Sequence, residues 1–556
     1  MSQPEVLNIA STLRETARRF PSQSAIVCPG GRDRFGRPAD SSFSFDELDR
    51  ESDLLAHGLA DLGVEKGQRL VLMVRPGVEF IALTFALFKA GAVVVLIDPG
   101  MGPRRVFRCL DEVEPEGFIA IPPVHALRIM SLRRFRSARL NVTVGRRWFW
   151  KGATYDFLLA AGRGQAGGRR GPFPLVETGQ TDPAAIIFTS GSTGPSKGVV
   201  YEHGMFAAQV EALRDFFNVE PGGIDLPGLP LFALFNSAMG VTTVIPQMDP
   251  AHPARVDPAK IVAAIHSHKV TQAFGSPAIW NRVGRYCEAR DIKFPTLQRI
   301  FSAGAPVPID VLARMKRTLV AAGSEMHTPY GATEALPVAS ITATDVLTRT
   351  AARTREGAGT CVGRPIPGMR LKIIEMIDGP IPSLAQAREL PAGEIGEIIV
   401  QGAVVTREYF RRPEATAAAK ISDGERFWHR MGDVGYLDES GELWFCGRKG
   451  HVVETLEGRM FTDCVEPIFN SHPALARCAL VGLGARPRQT PCIVVELESG
   501  TSSRRVIAEL RDLAQTHVNT RRIERFLIYP RSLPVDVRHN TKIDREQLAA
   551  WARRHS

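Results

Sequence analysis

Among the eight cysteines (Cys28, Cys109, Cys287, Cys361, Cys446, Cys464, Cys478 and Cys492) there is no Cys-x-x-Cys pair and no Cys/His ligand spacing. That excludes a zinc ribbon, a thioredoxin-like redox motif and a disulfide framework, and leaves reduced, mostly buried thiols as the expectation. No uninterrupted apolar run is long enough to span a bilayer. The nearest candidate, Phe80 to Ile97, is broken by Lys89 and Gly91 and ends on Val93, Val94 and Val95. It reads as a buried helix, a turn and a core strand. The first residues lack the apolar core of a signal peptide. Val6 to Phe20 instead carries Arg14, Glu15, Arg18 and Arg19 at helical spacing, so an amphipathic helix in a cytoplasmic protein is expected. Internal repeats are missing. So is a basic stripe interleaved with aromatics, and no nucleic-acid partner is expected.

What is present is 556 residues, too many for one hydrophobic core, so several subdomains are expected. The formal charge of +10 reads as spread along the chain, which suits a polyanionic small substrate or an anionic surface. Ser44 to Leu62 has helical apolar spacing, with Asp46 as the expected cap. Arg69–Val74, Phe80–Lys89 and Ala92–Ile97 make a strand, a helix and a strand. Further strands are expected at Ala184–Phe188, Thr243–Pro246, Gln272–Phe274 and Arg299–Ser302. This alternation predicts an α/β fold: a large N-terminal domain, residues 1–447, with parallel-rich sheets. From about 366 to 447 short strand-like runs between glycine turns predict a β-rich subdomain. Residues 448–556 return to alternating strands and a helix, expected as a small, mobile α+β C-terminal domain.

Ser131 to Gly171 stands apart. It holds Arg133, Arg134, Arg136, Arg139, Arg146 and Arg147, then Trp148-Phe149-Trp150-Lys151, then a Gly/Arg-rich stretch. A solvated surface with a flexible linker is the plain expectation, and a basic-aromatic surface for a membrane or partner is the sharper one.

The strongest motif is Thr189-Ser-Gly-Ser-Thr-Gly-Pro-Ser-Lys-Gly198, directly after an apolar strand. Gly191, Gly194 and Gly198 let backbone approach an anion without Cβ obstruction. Thr189, Ser190, Ser192 and Thr193 add hydroxyls, and Lys197 a cation for phosphate oxygens. It is not a Walker A loop, because Ser196 precedes the lysine and Gly198 comes after it, which disfavours a P-loop NTPase.

This loop resembles the phosphate loop of the adenylate-forming superfamily, which includes acyl-CoA synthetases, nonribosomal peptide adenylation domains and luciferases. The resemblance extends in order through Phe45-Asp-Glu-Leu48, Lys89-Ala-Gly-Ala92, Ser302-Ala-Gly-Ala-Pro306, Tyr330-Gly-Ala-Thr-Glu334, Gly432-Asp433, Gly447-Arg448 and Lys542-Ile-Asp-Arg545. It implies ATP and Mg²⁺ as cofactors. Gly304, Ala305, Tyr330 and Gly331 would then lie by adenine, Thr333 by the α-phosphate and Glu334 on the metal. Asp433, expected at an exposed turn before a strand, would accept from ribose, and Arg448 would add a ribose or phosphate contact. Lys542 would bridge the substrate carboxylate and the α-phosphate, offsetting the repulsion between two anions. Because it lies in the last domain, a domain rotation is implied. His203 matches a histidine common in the superfamily and is read as structural.

Four departures bear on the chemistry after adenylation. Pro230-Leu-Phe-Ala233 carries alanine where histidine is usual, and Gly450 stands at the hinge in place of Asp or Lys. Glu454-Thr-Leu-Glu-Gly-Arg-Met-Phe461 alters the loop that guides a pantetheine arm, and Asn540-Thr541 replaces Ser-Gly before Lys542. Together with Pro230–Gly240 and Ile97–Gly102, they are most similar to the β-lactone synthetases of bacterial long-chain olefin biosynthesis. That branch implies a lipid-like 2-alkyl-3-hydroxy acid whose own hydroxyl closes a lactone, and assembly with other enzymes of that pathway. Phe232, Ala233 and Phe235 are the expected acyl pocket, with Ala233 making room for the alkyl branch. Two alternatives stay open, a long-chain acyl-CoA or acyl-carrier ligase and a non-catalytic nucleotide-binding homologue.

Overall fold

The structure is a computed structural model that describes residues 7–32, 38–131, 133–164, 170–188, 196–498, 503–535 and 543–555. Four sheets organise the described residues, and the two large ones make up the N-terminal part.

The seven-stranded sheet runs in the order Ala153–Thr154, Leu140–Thr143, Gly117–Ala120, Arg69–Met73, Val93–Ile97, Pro183–Phe188, Gly198–Glu202. All neighbours are parallel except the last pair. The expected strand–helix–strand unit is its centre: Arg69–Met73 and Val93–Ile97 pair in parallel, joined through the helix Val78–Lys89. Alternate side chains point to opposite faces. Leu70, Leu72, Val94 and Ile119 join one core with the helices Phe45–Asp61 and Val78–Lys89. Val71, Val93, Val95 and Phe118 join another with the helix Pro103–Val113. A sheet covered on both faces explains why these strands are apolar throughout.

Lys89, the charge that interrupts the apolar run, is fully buried. Its ammonium reaches Asp49 at 2.6 Å and Asp53 at 2.7 Å, and Arg14 meets Asp53 at 2.7 Å. The network ties the helices Ala10–Arg19, Phe45–Asp61 and Val78–Lys89 together, where an unpaired buried cation would be strongly destabilising. Among the described residues no helix is long and apolar enough to cross a membrane. Seven of the eight free cysteines are buried, and Cys28 is half-buried.

The cap of Phe45–Asp61 differs from expectation. Ser44, not Asp46, is the N-cap. Its hydroxyl accepts from Glu47 N–H at 3.2 Å, while the Glu47 carboxylate accepts from Ser44 N–H at 2.8 Å. The preceding strand, Pro38–Ser44, ends on Ser44 and leaves it extended, the backbone a reciprocal capping box needs.

The fourteen-stranded sheet is parallel from Ser24–Arg32 through Thr242–Val244, Ile224–Pro227, Gln272–Gly275 and Arg299–Ser302 to Glu325–Ala332. It turns antiparallel at Ala335–Thr342 and stays so through Thr360–Pro365, Leu443–Arg448, Arg426–Leu437, Gly396–Gln401 and Arg370–Ile374. The β-rich region thus continues this sheet, and the change of character begins at the hairpin of Ala332 and Ala335, earlier than the composition suggests. Beyond Arg448 lie the hairpin Val453–Thr455/Gly458–Met460 and a separate three-stranded sheet, Leu475–Leu483, Thr490–Leu497 and Arg525–Ile528. The helix Thr462–Asn470 packs on that sheet through Val465 and Phe469, and Asn519 Nδ2 donates to Gly357 O across to the N-terminal part at 2.9 Å.

Candidate active site

Ala332 pairs with Ala335, so Thr333 and Glu334 form the tip of a two-residue hairpin. Tyr201 O–H donates to Thr333 O at 2.7 Å, and Thr406 N–H donates to Glu334 O at 2.9 Å. With its backbone held from two sides, the tip presents both side chains to a cavity of about 630 Å³. Tyr409 O–H donates to Glu334 Oε1 at 2.7 Å, and the Lys197 ammonium lies 4.6 Å from the Tyr409 ring centroid. Burial and the Glu334 carboxylate raise the Tyr409 phenol well above its usual range, so it stays a donor. No motif in the sequence points to Tyr409. It reaches the site because residues 408–410 pair along the strand Gly198–Glu202, with Phe410 N–H donating to Gly198 O at 2.8 Å.

Behind Glu334 lies Lys420, whose ammonium donates to Thr406 O. Burial lowers it to about 7 against the opposing pull of Glu334 and Glu202. Its cross-strand neighbour His429 is held well below its ordinary value, first by burial and then by the Lys420 and Lys197 cations. His429 is therefore a neutral imidazole on the cavity wall.

Asp433 does not sit at an exposed turn. It is buried within the strand Arg426–Leu437, directly across from Arg448. Gly432, at φ +67°, lies where the register against Gly396–Gln401 slips, and the bulge re-aims Asp433. Its Oδ2 accepts from Tyr330 O–H at 2.7 Å and its Oδ1 lies 3.0 Å from Arg448 Nη1. Tyr330, Asp433 and Arg448, brought together from two distant stretches of the chain, thus form one connected group, with Gly331, Gly432, Gly304 and Arg448 on the cavity wall. Ala305 is half-buried beside Gly304 and is not among the lining residues.

The other arm of the cavity is apolar. Phe232, Leu234, Phe235 and Met239 line it with Phe217, Phe274 and Phe301. One expectation is corrected. Ala233 is buried in the core that includes Leu13 and Ile9, away from the cavity. On the helix Phe232–Met239, residues 232, 235, 236 and 239 share one side, and Ala233 with Ser237 faces another, packed on the helix Ala10–Arg19. Trp280 is also core, its indole N–H donating to Phe301 O at 3.1 Å. A buried polar pair interrupts the apolar lining: Asn236 Nδ2 donates to Asp225 Oδ2 at 2.7 Å.

His203 is structural, as expected: its Nδ1 accepts from Ile9 N–H at 3.2 Å, tying the N-terminal segment to the strand end. Thr189, Ser190, Gly191, Ser192, Thr193 and Gly194 of the phosphate loop lie outside the described residues, as do Asn540, Thr541 and Lys542. Gly450 falls in the single turn Lys449–His451, next to Lys449, whose ammonium meets the buried Glu397 at 2.9 Å. Arg430 holds the same carboxylate at 2.7 Å.

A family model described as "AMP-binding enzyme" matches residues 13–410. The chain is 49% identical over 98% of its length to an olefin beta-lactone synthetase of Stenotrophomonas maltophilia, covering 98% of that protein. It is equally 49% identical to an olefin beta-lactone synthetase of Xanthomonas campestris pv. campestris, covering 98% of this chain and 97% of that one. In fold it matches the amide bond synthetase McbA from Marinactinospora thermotolerans at a TM-score of 0.79 and 23% identity, over 98% of this chain and 99% of that one. With a polar, cation-rich end of the cavity joined to an apolar arm, and relatives matched end to end, the chain belongs to the family of AMP-binding enzymes.

Proposed function

We propose that this chain is an olefin β-lactone synthetase: it adenylates a long-chain 2-alkyl-3-hydroxy acid and then closes it to a β-lactone. The full-length identity to two such synthetases carries this reading, and the joined polar and apolar arms of the cavity support it. In the first step a carboxylate oxygen attacks the α-phosphorus of ATP and pyrophosphate leaves. In the second the substrate's own hydroxyl oxygen attacks the acyl carbon, the bond from that carbon to the phosphate oxygen breaks, and AMP leaves. The nucleophile is already tethered, so no second substrate has to be ordered.

Tyr330, with Gly304 and Gly331, would face adenine, and Asp433, oriented by Tyr330 and Arg448, would accept from ribose hydroxyls. Lys197 and Thr333 would meet phosphate oxygens. Glu334 would hold Mg²⁺, which supplies charge neutralisation on the phosphates. A carboxylate is a hard oxygen donor of the kind Mg²⁺ takes. Residues 448–556 would rotate as a unit about Gly450 to deliver Lys542. Assembly with the enzymes that make the hydroxy acid and consume the lactone belongs to the same reading.

The test monitors a synthetic 2-alkyl-3-hydroxy acid with ATP and Mg²⁺ by proton NMR, with and without CoA. A β-lactone is expected without CoA. Product only on addition of CoA would leave adenylation standing and replace lactone closure with thioester formation.

A further inference from the structure

The charge is not spread evenly, as the sequence first suggests. Residues 131–171 hold ten Lys and Arg against Asp156 alone, which is nine units of the chain's formal +10. The other residues are close to neutral in sum. This stretch builds the far edge of the seven-stranded sheet, where Leu140–Thr143 and Ala153–Thr154 are the outermost strands.

The loop between those two strands has a fixed shape. Trp150 is buried, with its indole N–H donating to Thr143 Oγ1 at 2.9 Å and its ring 5.7 Å from that of His125. Arg147 donates to Gly152 O and closes the loop base. With Trp150 taken as the anchor, the two residues before it are left outside. Trp148 is 53% exposed and Phe149 79%, and on the helix that carries His125, Met130 is 84% exposed. In the same stretch of chain Arg133, Arg136, Arg139, Arg146 and Lys151 are exposed and show no ion pair among the described residues. Asp111 and Asp61 offset only Arg134 and Arg170.

We propose that this edge docks the enzyme on an anionic lipid bilayer, with Trp148 and Phe149 entering the headgroup region and the exposed cations of the same stretch meeting lipid phosphates. Two features favour lipid over a protein partner. The apolar contribution is led by two adjacent projecting aromatics, the residue type and size of an interfacial anchor, with Met130 exposed on the neighbouring helix. The cations of this stretch have almost no acid interspersed along the chain, so the attraction is to a uniformly negative surface. Reversible attachment needs two signals, an apolar insertion and a basic patch, and both are here. The proposal rests on charge and exposure and is independent of which acid the cavity takes.

The full chain is sedimented with vesicles of phosphatidylcholine, or of phosphatidylcholine with roughly one-third phosphatidylglycerol. Binding is expected only to the anionic vesicles and is expected to fall with salt. The pair Trp148→Ser with Phe149→Ser, and separately Arg133→Glu, Arg136→Glu and Arg146→Glu, should each weaken it about tenfold or more. Melting temperature and pyrophosphate release with a water-soluble acid should stay at wild-type values, which separates this outcome from misfolding and from failure of the catalytic reading. Equal sedimentation with neutral vesicles, or variants that bind like wild type, would overturn the proposal. So would absence of vesicle binding alongside a protein complex that these substitutions disrupt, which would assign the edge to a protein.

Discussion

Asp225 illustrates how a single buried carboxyl leaves a trace in bulk stability. It is 3% exposed on the cavity wall, with one oxygen accepting from Asn236. Burial pushes it from 3.8 up to about 7, against the opposing Asn236 amide and Leu226 N–H. Between those values the folded protein keeps a proton that the unfolded chain has released. Stability from this group is therefore complete below about pH 4 and is lost as pH rises through about 7. Asp225→Asn should flatten that decline, gaining on wild type by up to a few kcal/mol between those limits. Urea denaturation at a series of pH values checks this, and a constant difference would refute it. Residues of this kind are only partly legible in the sequence. Lys197, Glu334 and Asp433 stand out because fixed motifs carry them. Tyr409, which donates to Glu334, sits in no motif and meets it across 75 residues of chain, and Lys420, which feels the Glu334 charge, sits in none either.

At the level of the helix Phe232–Met239, the sequence shows a helical apolar run but not which side meets the cavity. Its rotation is decided by the helix Ala10–Arg19, far away in the chain, which covers Ala233. Ala233→Phe should therefore overpack the core, lowering stability by roughly 1–3 kcal/mol, and should impair branched and linear acids alike. A selective loss of branched substrates, with unchanged denaturation, would place Ala233 back on the acyl wall. Strand ends are more legible. Arg299–Ser302 matches expectation, because Ile300 and Phe301 form a short apolar run that stops before Gly304. The strand through Asp433 is the exception, since Asp433 is expected at a turn ahead of it. Its first nine residues, Arg426 onward, include His429, Arg430 and Asp433, polar groups satisfied only by tertiary partners.

On the scale of the molecule, Gly447 is where the two parts meet. It has φ +132°, and a Cβ there would lie 2.3 Å from Thr462 Oγ1, at the start of the first C-terminal helix. Gly447→Ala should unseat that helix, seen as faster proteolysis after Arg448 and slower pyrophosphate release, while the melting of the N-terminal part is kept. Unchanged cleavage would show that the junction gives way easily. The continuity of the fourteen-stranded sheet is not visible in the sequence, since register between distant strands leaves no local signature. The order of the seven-stranded sheet has a kinetic corollary. Its arginine-rich edge and the cavity beside Gly198–Glu202 lie six strand spacings apart, roughly 29 Å at about 4.8 Å per step. An enzyme resting on that edge holds the strand beside its cavity about that far from the bilayer. Turnover should then track the acid dissolved or delivered in the aqueous phase, and dilution of the same acid within the membrane plane should leave the rate unchanged.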